Sequence, residues 1–195
     1  LTIYSKEIKK IVKRYDNECQ LNNNCQINIT ILNDMKAPIM IYYQLDGFFQ
    51  NHRRYVKSKS IEQLRGKKIS DKDLKEECQP AITNKEIGVS GNNLSENDIA
   101  IPCGLIAKTY FNDSFEDWKI NNESIDIDEK NIAYAKDLEL FKKEVNKEKQ
   151  WTNLTDEHFI VWMRPSGLPN PKKLWGRIRK NLNKNDVVTI TIRNN

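Results

Sequence analysis

The chain has 195 residues, of which 38% are hydrophobic and 30% are charged. This is enough for a domain with its own core and argues against a disordered tail. Its longest apolar runs, such as Ile39-Met40-Ile41, are far shorter than the roughly 18 residues that span a bilayer. The net charge of +5 is modest and spread along the chain, which argues against nucleic-acid binding.

The sequence begins with Leu1 rather than Met, and its N-terminal part lacks the apolar region of a secretory signal peptide. We therefore expect that a targeting sequence has been removed from a longer parent protein. The spacing of Ile8, Ile11, Val12 and Tyr15 fits a short helix.

Two strands are predicted next. Ile27, Ile29 and Ile31 alternate with polar residues, which indicates a half-buried strand with Asn28 and Thr30 on its wet face. The apolar and aromatic residues 39–45 predict a second strand, ended by the turn Asp46-Gly47. The polar stretches 58–77 and 83–98 are interpreted as surface loops.

The second half of the chain contains four further predicted elements. Spacings of four, three and four predict an amphipathic helix along Tyr134, Leu138, Phe141 and Val145. The continuous apolar run 159–163 predicts a strand covered on both faces. A short basic helix is predicted along Leu174, Ile178 and Leu182, and a final strand along Val188, Ile190 and Ile192. We therefore expect a mainly β, antiparallel, sandwich-like domain across residues 1–195, with short helices and long loops.

The four cysteines, Cys19, Cys25, Cys78 and Cys103, contain no C-x-x-C pair. They allow three disulfide connectivities, among which the loop-closure cost favours pairing of near neighbours. Four free buried thiols in a cytosolic protein are the alternative.

Five N-glycosylation sequons are present, against about two expected by chance in so asparagine-rich a chain. They begin at Asn28, Asn93, Asn112, Asn122 and Asn153. Cysteines and sequons together favour an oxidising compartment.

Signs of catalysis are missing from the sequence. The two histidines, His52 and His158, lack metal-ligand spacing, and no nucleophile elbow, P-loop or dinucleotide fingerprint occurs. The acidic residues lie in charge-rich segments and are interpreted as solvated. We therefore predict a protein that is not an enzyme and needs no metal or cofactor.

The most unusual stretch is the aromatic-basic segment, residues 42–58, in which aromatic residues flank a polar and basic centre. Arg53 and Arg54 could bind carboxylates or phosphates of a partner. Alternatively, they could cross-link loops inside the fold, stacked on Tyr42, Tyr43 or Tyr55. We expect the second role, so that Arg54→Ala would reduce secretion of the domain.

The aromatic-basic segment also resembles the signature of the cell-division-control-50 and ligand-effect-modulator-3 family, accessory subunits of phospholipid flippases. Three further motifs resemble that family in the same order along the chain. They are Gln63-Leu64-Arg65-Gly66, then Pro102-Cys103-Gly104-Leu105-Ile106-Ala107 with Phe111-Asn112-Asp113-Ser114, and then Phe159-Ile160-Val161-Trp162-Met163-Arg164 with Leu168-Pro169 and Lys173-Leu174. Departures include Gly47, where the family usually has Asn, and Tyr134, where Trp is common.

The resemblance implies a glycosylated exoplasmic domain between two transmembrane helices that this chain lacks. It implies a type IV P-type ATPase as partner, which the protein binds, stabilises and escorts from the endoplasmic reticulum for phospholipid translocation. The domain would be lumenal or extracellular, at the endoplasmic reticulum, Golgi, endosomal or plasma membrane. It also implies the disulfides Cys19–Cys25 and Cys78–Cys103, and an extended path for residues 3–15.

The resemblance also marks candidate partner-binding or fold-supporting residues: Tyr43, Phe48, Phe49, Asn51, His52, Arg53, Arg54, Tyr55, Trp162 and Arg164. The alternative function is a lectin-like or lipid-headgroup-binding module. It depends on the aromatic-basic segment and on a basic helix with Lys172, Lys173, Arg177, Arg179 and Lys180. If the predicted disulfide is present, Cys78→Ser should lower stability by about 2–5 kcal/mol.

Overall fold

A computed structural model describes residues 8–91, 93–141 and 147–195. It contains antiparallel sheets, short helices and two disulfides, so the chain is mainly β, as the sequence predicts. The strands are β1 (Asn23–Thr30), β2 (Ile39–Gln44), β3 (Ser114–Ile120), β4 (Glu123–Ser124), β5 (Lys172–Ile178) and β6 (Val187–Asn194). The helices are α1 (Arg53–Lys57), α2 (Ile61–Leu64), α3 (Asp71–Glu77), α4 (Asn84–Ile87), α5 (Leu105–Lys108), α6 (Ala135–Leu140) and α7 (Glu157–Met163), with a 3₁₀ turn at Lys147–Lys149.

Two compact units divide the chain. The first, here called the sheet unit, comprises residues 8–41, Asn112–Asp128 and Gly176–Asn195. The second, the helix unit, comprises the described parts of Tyr42–Phe111 and Glu129–Trp175 and includes α1 to α7. The boundaries between the units fall within β2 and β5, which pair with each other in a two-stranded sheet.

The sheet unit is built on a four-stranded sheet of order β1-β6-β3-β4, in which the described pairs are antiparallel. Ile27 of β1 lies opposite Ile190 of β6, and both side chains are buried. Thr189 is buried as well, and its hydroxyl donates a 2.8 Å hydrogen bond to Asn28 Oδ1. The period of two predicts both strands correctly, although Thr189 on the polar side of β6 is buried as well.

Two elements differ from their predicted type. Residues 157–163 form the helix α7 instead of a strand, capped by Asp156, whose carboxylate accepts from the His158 amide at 2.9 Å. Periodicity alone does not separate a short buried helix from a strand. Residues 172–178 form β5 instead of a basic helix, because hydrogen bonding to β2 overrides the four-residue spacing.

Smaller corrections concern helix positions. Residues 8–15 form no helix, and the polar stretches predicted as loops contain α2, α3 and α4. These three helices begin after Ser60, Ser70 and Thr83, whose side-chain oxygens accept from backbone amides three residues on. Of the amphipathic helix predicted from Tyr134, the structure shows Ala135–Leu140 as α6, while Val145 lies outside the described residues. Within the described parts of the chain, no helix has the length and apolar character needed to cross a bilayer.

Candidate functional site

The helix unit is organised around the buried disulfide Cys78–Cys103, with an S–S distance of 1.92 Å. Buried polar side chains pair with the backbone around it. The Ser58 hydroxyl donates to the Cys78 carbonyl at 3.1 Å and accepts from the Leu105 amide at 2.8 Å. The Gln63 amide accepts from the Cys103 N–H at 2.9 Å. We call Ser58, Gln63, Cys78, Cys103 and Gly104 the disulfide node, in which these polar groups are satisfied.

Gly104 is the tightest point of the disulfide node. Its backbone has φ 101° and ψ 162°, a conformation that essentially only glycine adopts. A Cβ at this position would lie 2.2 Å from the Ser58 carbonyl oxygen. The motif Pro102-Cys103-Gly104 therefore has a steric basis, because the backbone of Ser58 occupies the place of a side chain.

The aromatic residues of the aromatic-basic segment support the fold. Tyr43 is buried and stacks on Phe111, with ring centroids 3.9 Å apart and planes at 12°. Phe48 packs between Tyr55 and Trp162, at centroid distances of 5.7 and 5.8 Å. Such contacts fix the segment against the rest of the helix unit.

Hydrogen bonds anchor the same residues. The Tyr55 hydroxyl lies 2.8 Å from the Thr109 hydroxyl, and Trp162, only 1% exposed, donates from its indole N–H to the Ile106 carbonyl at 2.7 Å. Asn51 is exposed and its amide donates to the Gly167 carbonyl at 3.3 Å. The buried and bonded aromatics thus hold the segment in place, and Asn51 ties it to the loop at Gly167.

Arg53 and Arg54 do not have the environment that we expected. Both side chains are exposed, at the start of α1, and they are not cross-links inside the fold. The reason is that this short helix turns only Tyr55 inward, while His52 caps it through a 3.3 Å bond from the Arg54 amide to Nδ1. The expected structural role of the two arginines is therefore wrong for their side chains.

Arg164 lies at the end of α7 and is held by a bidentate ion pair. Its guanidinium donates to the two carboxylate oxygens of Asp137 at 2.6 and 3.0 Å, and it lies 4.6 Å from the centre of the Tyr134 ring. The hydrogen bond to Asp137 raises the pKa of Arg164. Arg164 thus connects the end of α7 with α6 through Asp137. It also contacts Tyr134, the residue that precedes α6.

Lys173 is a buried cation in β5, whereas the sequence predicts it on a basic helix. It is 5% exposed, and its ammonium group donates to the carbonyls of Val161, Trp162 and Arg164 at the end of α7. Burial, and secondarily the charge of Arg164, lowers the pKa of Lys173 to about 8. The buried ammonium therefore satisfies carbonyls that α7 leaves open, at a desolvation cost.

Stability should depend on pH through Lys173. Its folded pKa of about 8 lies below the ordinary value of 10.5, so the unfolded state binds more protons between these values and stability should rise with pH across that window. Urea unfolding at pH 7.5 and pH 10 should therefore show a gain in the free energy of unfolding, relative to Lys173→Met. An equal pH dependence in both proteins would contradict the assignment.

The sheet unit contains the second disulfide, Cys19–Cys25, with an S–S distance of 1.96 Å. All five sequon asparagines are exposed, those of the sheet unit and those of the helix unit alike. At one of them, Asn153, the side-chain oxygen accepts from both the amide and the hydroxyl of Thr155, at 2.9 and 2.8 Å. Exposure leaves each sequon open to modification, and glycosylation itself stays a prediction.

The chemistry of the described residues offers no metal centre, since no group of three or more histidine, cysteine or acidic side chains could hold an ion there. What the described chain does present is a disulfide-stabilised, mainly β scaffold with exposed sequons and an exposed basic helix. These features are typical of an interaction domain in an oxidising compartment.

The chain belongs to the LEM3 (ligand-effect modulator 3) family / CDC50 family, whose model matches residues 2–195. It is 34% identical to ALA-interacting subunit 3 of Arabidopsis thaliana, over 98% of this chain and 59% of the relative. It is 32% identical to the phospholipid-transporting ATPase accessory subunit CRF1 of Saccharomyces cerevisiae, over 78% of this chain and 42% of the relative. With cell cycle control protein 50A of Mus musculus the identity is 31%, over 80% and 49% respectively. The chain thus spans about two fifths to three fifths of the length of these relatives.

Proposed function

We propose that this chain is the exoplasmic domain of a non-catalytic accessory subunit that binds and stabilises a phospholipid-transporting type IV P-type ATPase. The observation that carries the proposal is family membership along nearly the whole chain, with two relatives named as accessory subunits of phospholipid-transporting ATPases. In the parent protein, one transmembrane helix would flank the domain on each side.

The structure supports this role through its stabilising features. Two disulfides and exposed sequons suit a domain that folds in the endoplasmic reticulum and remains on the lumenal or extracellular side. The buried aromatic contacts of the aromatic-basic segment supply a rigid scaffold rather than a reaction centre. A scaffold of this kind fits the stabilisation and escort of a partner during its export.

Affinity purification tests the proposal. The full-length protein, solubilised in mild detergent, should co-purify with a membrane ATPase of the phospholipid-transporting class, identified by mass spectrometry. Its depletion should also retain that ATPase in the endoplasmic reticulum. Recovery of the folded protein without any such ATPase would contradict the proposal.

The alternative, a lectin-like or lipid-headgroup-binding module, loses part of its basis. The segment predicted as a basic helix forms the strand β5 and the residues that follow it. Within this segment Lys173 is buried and Arg179 forms an ion pair with Asp128. The exposed cations of α1 are the observation that still favours it. Binding of the protein to anionic vesicles in a salt-dependent manner would support this second function.

A further inference from the structure

One segment of the helix unit carries several cations and no acidic residue. Residues 47–61 contain four cations, Arg53, Arg54, Lys57 and Lys59, and no carboxylate, in a chain with a net charge of +5. Lys59 is half-buried, and burial lowers its pKa. The other three cations belong to α1 and are exposed.

In the part of the chain that the structure describes, these three cations lack the partners that other arginines have. Within the described residues, the side chains of Arg53, Arg54 and Lys57 form no ion pair and lie over no aromatic ring. By contrast, Arg65 pairs with Glu62 at 2.8 Å, and Arg164 pairs with Asp137 at 2.6 Å. Among the residues that the structure describes, the charge of α1 is therefore left unneutralised.

The charge of Arg53 does not serve the helix itself. Arg53 and Lys57 are four residues apart, so two like charges lie on one helical face and repel each other. The first turn of α1 has no acidic residue, whereas α3 has Asp71 and Asp73 there. The helix dipole disfavours a cation at the first helical position, where Arg53 lies, whereas Arg54 and Lys57 belong to the last turn, where cations are favoured. Local stability therefore gives no reason for Arg53.

An exposed aromatic ring lies next to the cations in sequence. Phe49 is 59% exposed and lies four residues before the start of α1. Tyr55 faces inward through its bond to Thr109, so helical geometry directs Arg53 and Lys57 away from the core. Arginine and aromatic side chains are the types enriched where protein interfaces gain most of their binding energy.

We propose that the α1 surface, defined by Phe49, Arg53, Arg54 and Lys57, docks an acidic segment of the partner protein. The guanidinium groups would receive carboxylates in bidentate geometry, next to an apolar contact on Phe49. This inference rests on the proposed function, which supplies the partner and the exoplasmic location. Arginine binds phosphate equally well, but anionic lipid is concentrated in the cytoplasmic leaflet, so an acidic protein segment is the occupant that an exoplasmic surface would meet.

A charge reversal in the full-length protein tests this surface. Arg53→Glu/Arg54→Glu should reduce the amount of co-purified ATPase by about tenfold or more, because it sets carboxylates against carboxylates. Its thermal midpoint should equal that of the wild type, since both side chains are exposed. The matched control is Lys72→Glu/Lys75→Glu on α3, which makes the same charge change at two exposed positions of the same unit and should retain the ATPase.

Each other outcome has a defined meaning. If the wild type and the α1 variant capture the ATPase equally, this inference is wrong and the proposed function stands. If the wild type captures none, both fail. Equal loss in the α3 control would overturn the inference in favour of a general charge effect.

Two further measurements address misfolding of the charge-reversal variant and binding of a lipid headgroup to the α1 surface. If the charge-reversal variant does not fold, the milder variant Arg53→Gln/Arg54→Gln takes its place. This variant should fold and should lose the ATPase. If it folds and retains the ATPase, or does not fold, the inference is overturned. A variant that keeps the ATPase but loses binding to phosphatidylcholine vesicles containing phosphatidylserine, with no change on pure phosphatidylcholine, would show a lipid headgroup as the occupant instead.

Discussion

Replacing Gly104 with alanine should abolish folding of the helix unit. The new Cβ would lie 2.2 Å from the carbonyl oxygen and 2.7 Å from the carbonyl carbon of Ser58, and both are backbone atoms that cannot rotate away. Alanine would also have to adopt φ 101° with ψ 162°. Together these effects should cost more than about 4 kcal/mol, enough to unfold a domain of ordinary stability.

The matched control is Gly88→Ala. Gly88 also has a positive φ, 90°, but no atom lies within 4 Å of its hypothetical Cβ. This substitution should therefore cost only about 1 kcal/mol, the price of the left-handed conformation. The yield of folded protein and the urea midpoint of each variant measure the difference, and similar values for both glycines would show that Ser58 can move.

Removal of the Cys78–Cys103 disulfide should produce the second large effect. The bond closes a sequence separation of 25 residues, for which the chain-entropy model gives about 3.5 kcal/mol. Because both sulfurs are buried in the disulfide node, Cys78→Ala/Cys103→Ala should also loosen the contacts of Ser58 and Gln63. Urea unfolding under non-reducing conditions measures the loss.

The Cys19–Cys25 bond provides the internal comparison. Its sequence separation is 6 residues, so Cys19→Ala/Cys25→Ala should cost about 2 kcal/mol by the same model. The node variant should thus be the less stable of the two. The reverse order, or free thiols in the native protein by mass spectrometry, would contradict the assigned role of the node.

Sequence patterns locate β1 and β6 because those strands alternate apolar and polar residues with a period of two. They fail at α7, where Phe159-Ile160-Val161-Trp162-Met163 is apolar throughout and fits a buried strand as well as a buried helix. They fail again at β5, where Leu174 and Ile178 have helical spacing but lie in a strand that pairs with β2. In both places the type of element depends on neighbours that are distant in sequence.

The candidate site shows the same division. The four motifs mark the aromatic-basic segment and Gly104 from sequence, but not their roles. Gly104 is needed because Ser58 lies against it, and Lys173 is buried because the carbonyls at the end of α7 receive its ammonium group. The exposure of Arg53 and Arg54 likewise follows from the inward direction of Tyr55. None of these contacts is local in sequence.

Ser58 links the α1 surface to the disulfide node. It ends α1 as the C-terminal cap, and its hydroxyl bonds to the Cys78 carbonyl and the Leu105 amide of the disulfide node. The α1 surface is thus attached directly to the most constrained part of the unit. A rigid base of this kind reduces the ordering cost of binding, which suits a docking surface.

The most direct test of the central claim is lipid-stimulated ATP hydrolysis by the partner ATPase, purified with and without the full-length protein. As a non-catalytic accessory subunit, the protein should raise both the yield of the folded ATPase and its lipid-stimulated turnover, while the protein alone hydrolyses no ATP. Equal yield and equal turnover in the absence of the protein would contradict the accessory role.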